Sequence, residues 1–234
     1  MMYRDEIKEI GKEQFKSNYW NCVLVLLLTG AVLSLITWLS GGGHAIQTIS
    51  ERGNVTVSVR ANAGGLLALL LFGPLTIGTN YFFIKNAQDE RDELSVTTPF
   101  SQAFQNYPRK LGGSLWMGLF VLLWSLLLVI PGIIKAFSYS MTPYILADCP
   151  NVKARDALKI SMDMMEGHKW EAFVLLLSFI GWLLLSLLTF GLAAVFYVTP
   201  YMRSTMAVYY QQVREDALRR GVVTPEELDG SEPV

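Results

Sequence analysis

Two cysteines, Cys22 and Cys149, and two histidines, His44 and His168, are all that 234 residues offer a metal or a disulfide framework. They sit at no metal-ligand spacing, and at most one disulfide could join them. HExxH, CxxC, GxSxG and a phosphate-binding Gly-rich loop are also missing, so no hydrolytic, redox or nucleotide chemistry is signalled. A basic surface is lacking too. The 19 Lys and Arg stand against 20 Asp and Glu, a net charge of −1, which excludes the footprint of a nucleic-acid binder. Charge is scarce altogether, at 17%. Its distribution decides the class: short polar blocks separate apolar runs of about twenty residues, the length that crosses a bilayer.

What is abundant is apolar surface, at 52% of residues and a mean hydropathy of +0.34. Spans are predicted at residues 20–39, 66–84, 111–130, 133–147, 170–190 and 192–210. The fold class is therefore all-α: a polytopic membrane helix bundle of about six transmembrane helices in three hairpins. Residues 1–212 form one membrane domain, and 213–234 a polar cytoplasmic tail expected to fray after Gly221. Cytoplasmic segments are residues 1–19, 85–110 and 148–169; an extracellular loop is 41–62. The first segment pairs Asp5 with Lys8, Glu9 with Lys12 and Glu13 with Lys16 at i,i+3, with Ile7, Ile10 and Phe15 as a narrow apolar stripe. It is too long and too acidic for a cleavable signal peptide. In the outer loop, Val55, Val57 and Val59 alternate with Thr56 and Ser58 beyond a turn-like Arg52-Gly53-Asn54, a small β-hairpin. Phe100, Ala103, Phe104 and Tyr107 mark a short helix in the linker. Residues 151–166 form an amphipathic helix ended by Gly167.

Lys and Arg orient the bundle. Four precede the first span, four lie in the linker and four in residues 151–169, against Arg52 and Arg60 alone in the outer loop. Both termini are thereby placed in the cytoplasm of a plasma-membrane protein.

The organising stretch is LLWSLLLVIPGIIKAFSYSMTPYILADCP. Pro131 and Gly132 are its structural turn, as Gly191 is for the last hairpin, and Pro131→Ala is expected to lengthen the third span and lower folded yield. Fifteen residues, 133–147, rise only about 23 Å, so the fourth span either crosses with its flanks or is re-entrant. The second span is broken early by Gly73-Pro74. Polar groups within spans are costly in lipid and mark a candidate intramembrane site: Asn80, Lys135, Tyr139, Tyr144, Asp148 and Arg203. Arg203 lies roughly 18 Å past the last turn. It either points inward to pair with Asp148 or a tyrosine such as Tyr144, or snorkels to the head groups past a bend at Pro200. Lys135 is expected to snorkel outward, and Glu166, His168, Lys169 and Glu171 to form a hydrated helix end. Cys22 and Cys149 are packing residues. A unit of surface helix, span, Gly turn and returning span recurs three times, with offsets of 34, 32 and 34 residues from Ile7 to Gly41, Phe100 to Gly132 and Ala157 to Gly191. The last two hairpins also share Phe137 with Phe196 and Thr-Pro-Tyr at 142–144 and 199–201.

The strings WSLLLVIPGIIKAFSYSMTPYILADCP, ALKISMDMMEGHKWEAFVLLLSFIGW and VTPYMRSTMAVYY, with the opening IKEIGKEQFKSNYWN, resemble the Firmicute-type multipass membrane proteins called the domain of unknown function 975 family. That family is distantly similar to the membrane domains attached to glycerophosphodiester phosphodiesterases. The resemblance implies a membrane protein without catalytic residues to transfer. No metal or cofactor is expected. The expected partners are membrane lipids, with another membrane protein or a second copy as alternatives. A non-enzymatic lipid- or partner-binding bundle leads; a small transporter or flippase is the rival, and a head-group enzyme comes last.

Overall fold

A computed structural model describes residues 4–39, 47–51, 54–58, 63–90, 94–127 and 129–231. The turn at Gly41–Gly43, His44, Arg52, Gly53, Val59, Arg60 and Arg91 lie outside the described residues. Within them the chain is helical apart from short connecting turns and one β-hairpin.

Helix α1 (Arg4–Ser17) buries Ile7, Gly11 and Phe15, the face its stripe predicts, and passes into α2 (Tyr19–Leu39). Strands β1 (Gln47–Glu51) and β2 (Asn54–Ser58) pair antiparallel with Gln47 opposite Ser58 and Glu51 opposite Asn54. Alternating β-branched residues favour such a ribbon. Helix α3 (Ala63–Ala87) runs unbroken through Pro74, contrary to the expected break. One lost backbone hydrogen bond does not end a 25-residue helix flanked by α2, α4 (Thr98–Phe104) and α5 (Tyr107–Leu127).

α5 returns as α6 (Val129–Ser138) and α7 (Thr142–Asp148). The fourth span is thus two short helices. Thr142 precedes Pro143, a position that disfavours helical backbone, and Pro143 opens α7 where its missing donor costs nothing. Pro131 and Gly132 are not at the reversal but inside the first turn of α6. Gly132 serves close packing instead: a Cβ there would lie 2.6 Å from Ser125 Oγ and 2.7 Å from Ser125 Cα. At the other end, the Arg109 guanidinium donates to the carbonyls of Leu146 (3.2 Å), Cys149 and Val152, a cation on the carbonyl end of α7.

After α8 (Ala154–Met164), the fifth span is α9 (Lys169–Leu177) and α10 (Ile180–Leu188), offset at Ser178 and Phe179. Gly191 does make a turn, at φ +87°, beside Phe190 at +51°. The sixth begins as a π-helical turn, Ala194–Val198, and continues as α11 (Thr199–Arg220). Pro200 cannot supply an N–H to the preceding turn and crowds its carbonyls, which wider winding relieves.

The division at residue 213 is not a structural boundary. α11 continues to Arg220, burying Val213 and Ala217, and Gly221 caps it in the left-handed region. The tail then folds as α12 (Pro225–Asp229), with a reciprocal Thr224–Glu227 capping box and Val223 and Leu228 buried. Polar composition hid these few apolar anchors.

Surface helices and hairpins interlock. α4 packs on α3, α8 on α5 and α7, and α1 on α11, so each lies against the arm that returns in the preceding unit, and the first closes on the last. Gly11 carries the closure, because a Cβ there would meet Thr205 Oγ1 at 2.6 Å and its Cα at 2.7 Å. Tyr201 donates to the Lys8 carbonyl at 3.3 Å, and Lys8 Nζ stands 4.9 Å from the Phe179 ring centroid. Where α1 turns into α2, Asn18 donates to Asn86 and Asn86 to the Gln14 carbonyl, both at 3.0 Å.

The outside is apolar. Leu122, Leu126, Leu187 and Phe190 are exposed, Phe190 to 99%. Among the described residues, two helices are long and apolar enough to cross a membrane, Tyr19–Trp38 and Lys169–Leu188. The fourth predicted span is two helices, and the sixth starts as a π-helical turn.

Candidate functional site

Four of the six predicted intramembrane polar residues meet in one stripe between α3, α7 and α11. Asn80 comes from α3. Tyr144 and Asp148 are i,i+4 on α7 and share a face; Arg203, Tyr210 and Arg214 do so on α11 at i,i+7,i+11. Arg203 Nη1 donates to Asn80 Oδ1 at 3.1 Å, and the same guanidinium hydrogen-bonds the Tyr144 hydroxyl. Tyr144 stacks on Tyr210, ring centroids 5.5 Å apart at 23°. Tyr210 donates to Asp148 Oδ2 at 3.0 Å, and Arg214 Nε lies 3.5 Å from that oxygen.

Arg203 therefore turns inward without pairing with Asp148. The carboxylate lies at the C-terminal end of α7, where Tyr210 and Arg214, two and three turns further along α11, occupy it first. Arg203 takes the neutral acceptors at its own level, Asn80 and Tyr144. Ending the sixth span at Tyr210 had hidden Arg214; its i+4 spacing from Tyr210 was the available signal. Beside the stripe, burial and the Asp148 charge push the Cys149 thiol up to about 11, and both cysteines are buried and outside any disulfide. The stripe joins cations and a carboxylate through phenols and holds no activated nucleophile. It can pin three helices together and stabilise a charge between them.

Lys135 and Tyr139 belong elsewhere. Lys135 does not snorkel outward: its Nζ stands 5.3 Å from the Trp124 ring centroid and 3.9 Å from Met162 Sδ. The adjacent indole face attracts the ammonium. The Tyr139 ring lies 6.2 Å from that of Phe120, on one wall of a groove of about 710 Å³. Trp116 and Phe120 of α5 continue that wall; α8 supplies the other with Leu158, Met162, Arg155, Asp156 and Lys159.

At the expected hydrated end, Glu166 and Glu171 are exposed as anticipated, whereas His168 is buried in a clamp. His168 is only 8% exposed, its Nδ1 3.1 Å from Glu171 Oε2 and its Nε2 3.0 Å from Asp216 Oδ2. Arg220 Nε stands 2.7 Å from the Asp216 carboxylate, and Tyr209 donates to the His168 carbonyl at 3.0 Å. The hydrogen bond from His168, with the Arg220 charge, holds the Asp216 carboxyl below its ordinary range. Asp216 and Arg220 lie in the segment expected to be a polar tail, where charge spacing alone does not mark them as partners of His168. Among the described residues no group of three or more His, Cys, Asp or Glu could hold a metal ion.

Residues 126–217 match the family model described as "Protein of unknown function (DUF975)". The matched stretch contains Tyr144, Asp148, Arg203, Tyr210 and Arg214, the whole stripe except Asn80. Similarity to the membrane domains of glycerophosphodiester phosphodiesterases is not shown. No curated protein and no solved structure shows a match.

Proposed function

We propose that this chain, whose residues 126–217 match the model of a family of unknown function, DUF975, is a multi-pass plasma-membrane protein that binds lipid without catalysing a reaction. Six spans form three hairpins, both termini face the cytoplasm, and α1, α4 and α8 lie at the inner interface. The observation that carries this reading is the inverted surface. Large apolar side chains of α2, α5, α9 and α10 face outward, while polar contacts gather between helices and at the ends. Lipid tolerates such a surface and water does not. A second copy or another membrane protein is the alternative partner of the same belt.

Thiol labelling from outside intact cells tests the topology. Asn54→Cys is expected to react and Ser95→Cys to stay protected, and the reverse pattern overturns the arrangement. Flotation of purified protein with liposomes tests lipid association; protein left at the bottom of the gradient refutes it.

A transporter or flippase is the second reading, favoured by the break before Thr142, the π-helical turn before Thr199 and the intramembrane Arg203. Reconstituted vesicles that move neither fluorescent phospholipid between leaflets nor candidate solutes across the bilayer eliminate it.

A further inference from the structure

We infer that the groove between α5 and α8 is a binding site for an anionic glycerophospholipid, phosphatidylglycerol in chemical class. The inference rests on the lipid-binding reading above and gives it a place. At about 710 Å³ the groove falls within the usual range of ligand sites. Its lining combines aromatic side chains of α5 with charged ones of α8. Arg109 marks the inner end of α5 by binding the carbonyls at the end of α7. Trp116 lies seven residues further along, about 10 Å, and Phe120 about 16 Å. Those are depths at which glycerol gives way to acyl chain. The two rings stack 5.5 Å apart, and Trp116 stays 47% exposed, so the aromatic wall opens sideways to the bilayer.

The α8 wall supplies the polar end. Arg155 and Lys159 are i,i+4 on one face, both exposed, and among the described residues neither makes an ion pair or a side-chain hydrogen bond. Elsewhere Arg109, Lys110, Arg203, Arg214 and Arg220 all have partners. Two exposed cations in no direct ion pair, Lys159 feeling the Asp163 carboxylate one turn away, line the apolar groove and match a phosphodiester whose chains run along Trp116 and Phe120. Asp156, also in the lining, would repel a second anion, but it can accept from the hydroxyls of a glycerol head group. Leu158 and Met162 complete the apolar side, Met162 as an adaptable contact.

The test is native mass spectrometry of the full chain in neutral detergent, titrated with dioleoyl-phosphatidylglycerol or dioleoyl-phosphatidylcholine. The wild-type chain is expected to prefer phosphatidylglycerol. Arg155→Gln with Lys159→Gln should weaken that binding roughly tenfold or more, at unchanged melting temperature because both side chains are exposed. Lys12→Gln with Lys16→Gln, removing two exposed cations from α1, should leave it intact. Trp116→Ala with Phe120→Ala should weaken both lipids. Equal phosphatidylglycerol binding by the wild type and the Arg155/Lys159 variant overturns the groove while leaving the lipid-binding reading standing. Equal wild-type affinity for both lipids overturns the anionic selectivity. Retention of neither lipid overturns both readings together.

Discussion

Replacing Asn80 with leucine tests whether the Arg203 guanidinium depends on the stripe. Asn80 is buried to 1% exposure and accepts from Arg203 at 3.1 Å. Leucine fills similar volume, so the change removes an acceptor without opening a cavity. A hydrogen bond to a charged group contributes about 1.5–3 kcal/mol, whereas bonds within membrane bundles average about 0.6 and reach about 1.7 kcal/mol. Arg203 is half-buried and keeps Tyr144, which places the cost of Asn80→Leu at about 1–2 kcal/mol. Arg203→Met alone leaves Asn80 and the Tyr144 hydroxyl short of a donor and should cost a similar amount. With both replaced, neither an orphaned charge nor an orphaned amide remains, and stability should return close to wild type. Denaturation of the four proteins in mixed micelles, followed by helical circular dichroism, gives the coupling directly. Losses that simply add would show that the contact does not hold the guanidinium.

Gly132→Val should lower the melting temperature and folded yield, at a cost of about 1–3 kcal/mol, because its side chain meets Ser125 backbone. Pro131→Ala, inside the first turn of α6, should be mild; a large loss there and none at Gly132 would reverse that view. Burial and the nearby Arg109 charge lower the Lys110 amine to about 8. Between about 8 and the ordinary 10.5 the folded state has released a proton that the unfolded chain keeps. Stability should therefore rise with pH across that window, and Lys110→Met should flatten the rise in pH-dependent melting. An identical profile in the variant would refute the assignment. Maleimide at neutral pH should leave native Cys22 and Cys149 unmodified and label both after denaturation; labelling of Cys149 in the folded protein would contradict its burial.

The parts of this fold governed by solvent preference were legible in the sequence. Apolar runs located α2 and the α9–α10 pair, the stripe of Ile7 and Phe15 gave the buried face of α1, and Gly191 gave a reversal. Parts that depend on helix rotation and depth were not. That Arg203 binds Asn80, and that Asp148 is already held by Tyr210 and Arg214, follows from how α3, α7 and α11 face one another. Periodicity within one helix does not encode that. The break before Thr142 was half visible in Pro143, since a proline marks a discontinuity without saying whether the chain turns, kinks or restarts. The folded tail was missed because Val223 and Leu228, two apolar anchors in a polar run, carry no periodic signal.

The closure of α1 on α11 sets an order of events during synthesis. The ribosome makes α1 first, yet the groove that receives Gly11 and Phe15 is completed by Thr205 and Tyr197, almost two hundred residues later. Until then its apolar stripe has no protein to cover it, and the bilayer surface is the available substitute. Contacts of such sequence separation form slowly. A chain stopped before the last hairpin therefore leaves α1 undocked and the bundle open at its first seam.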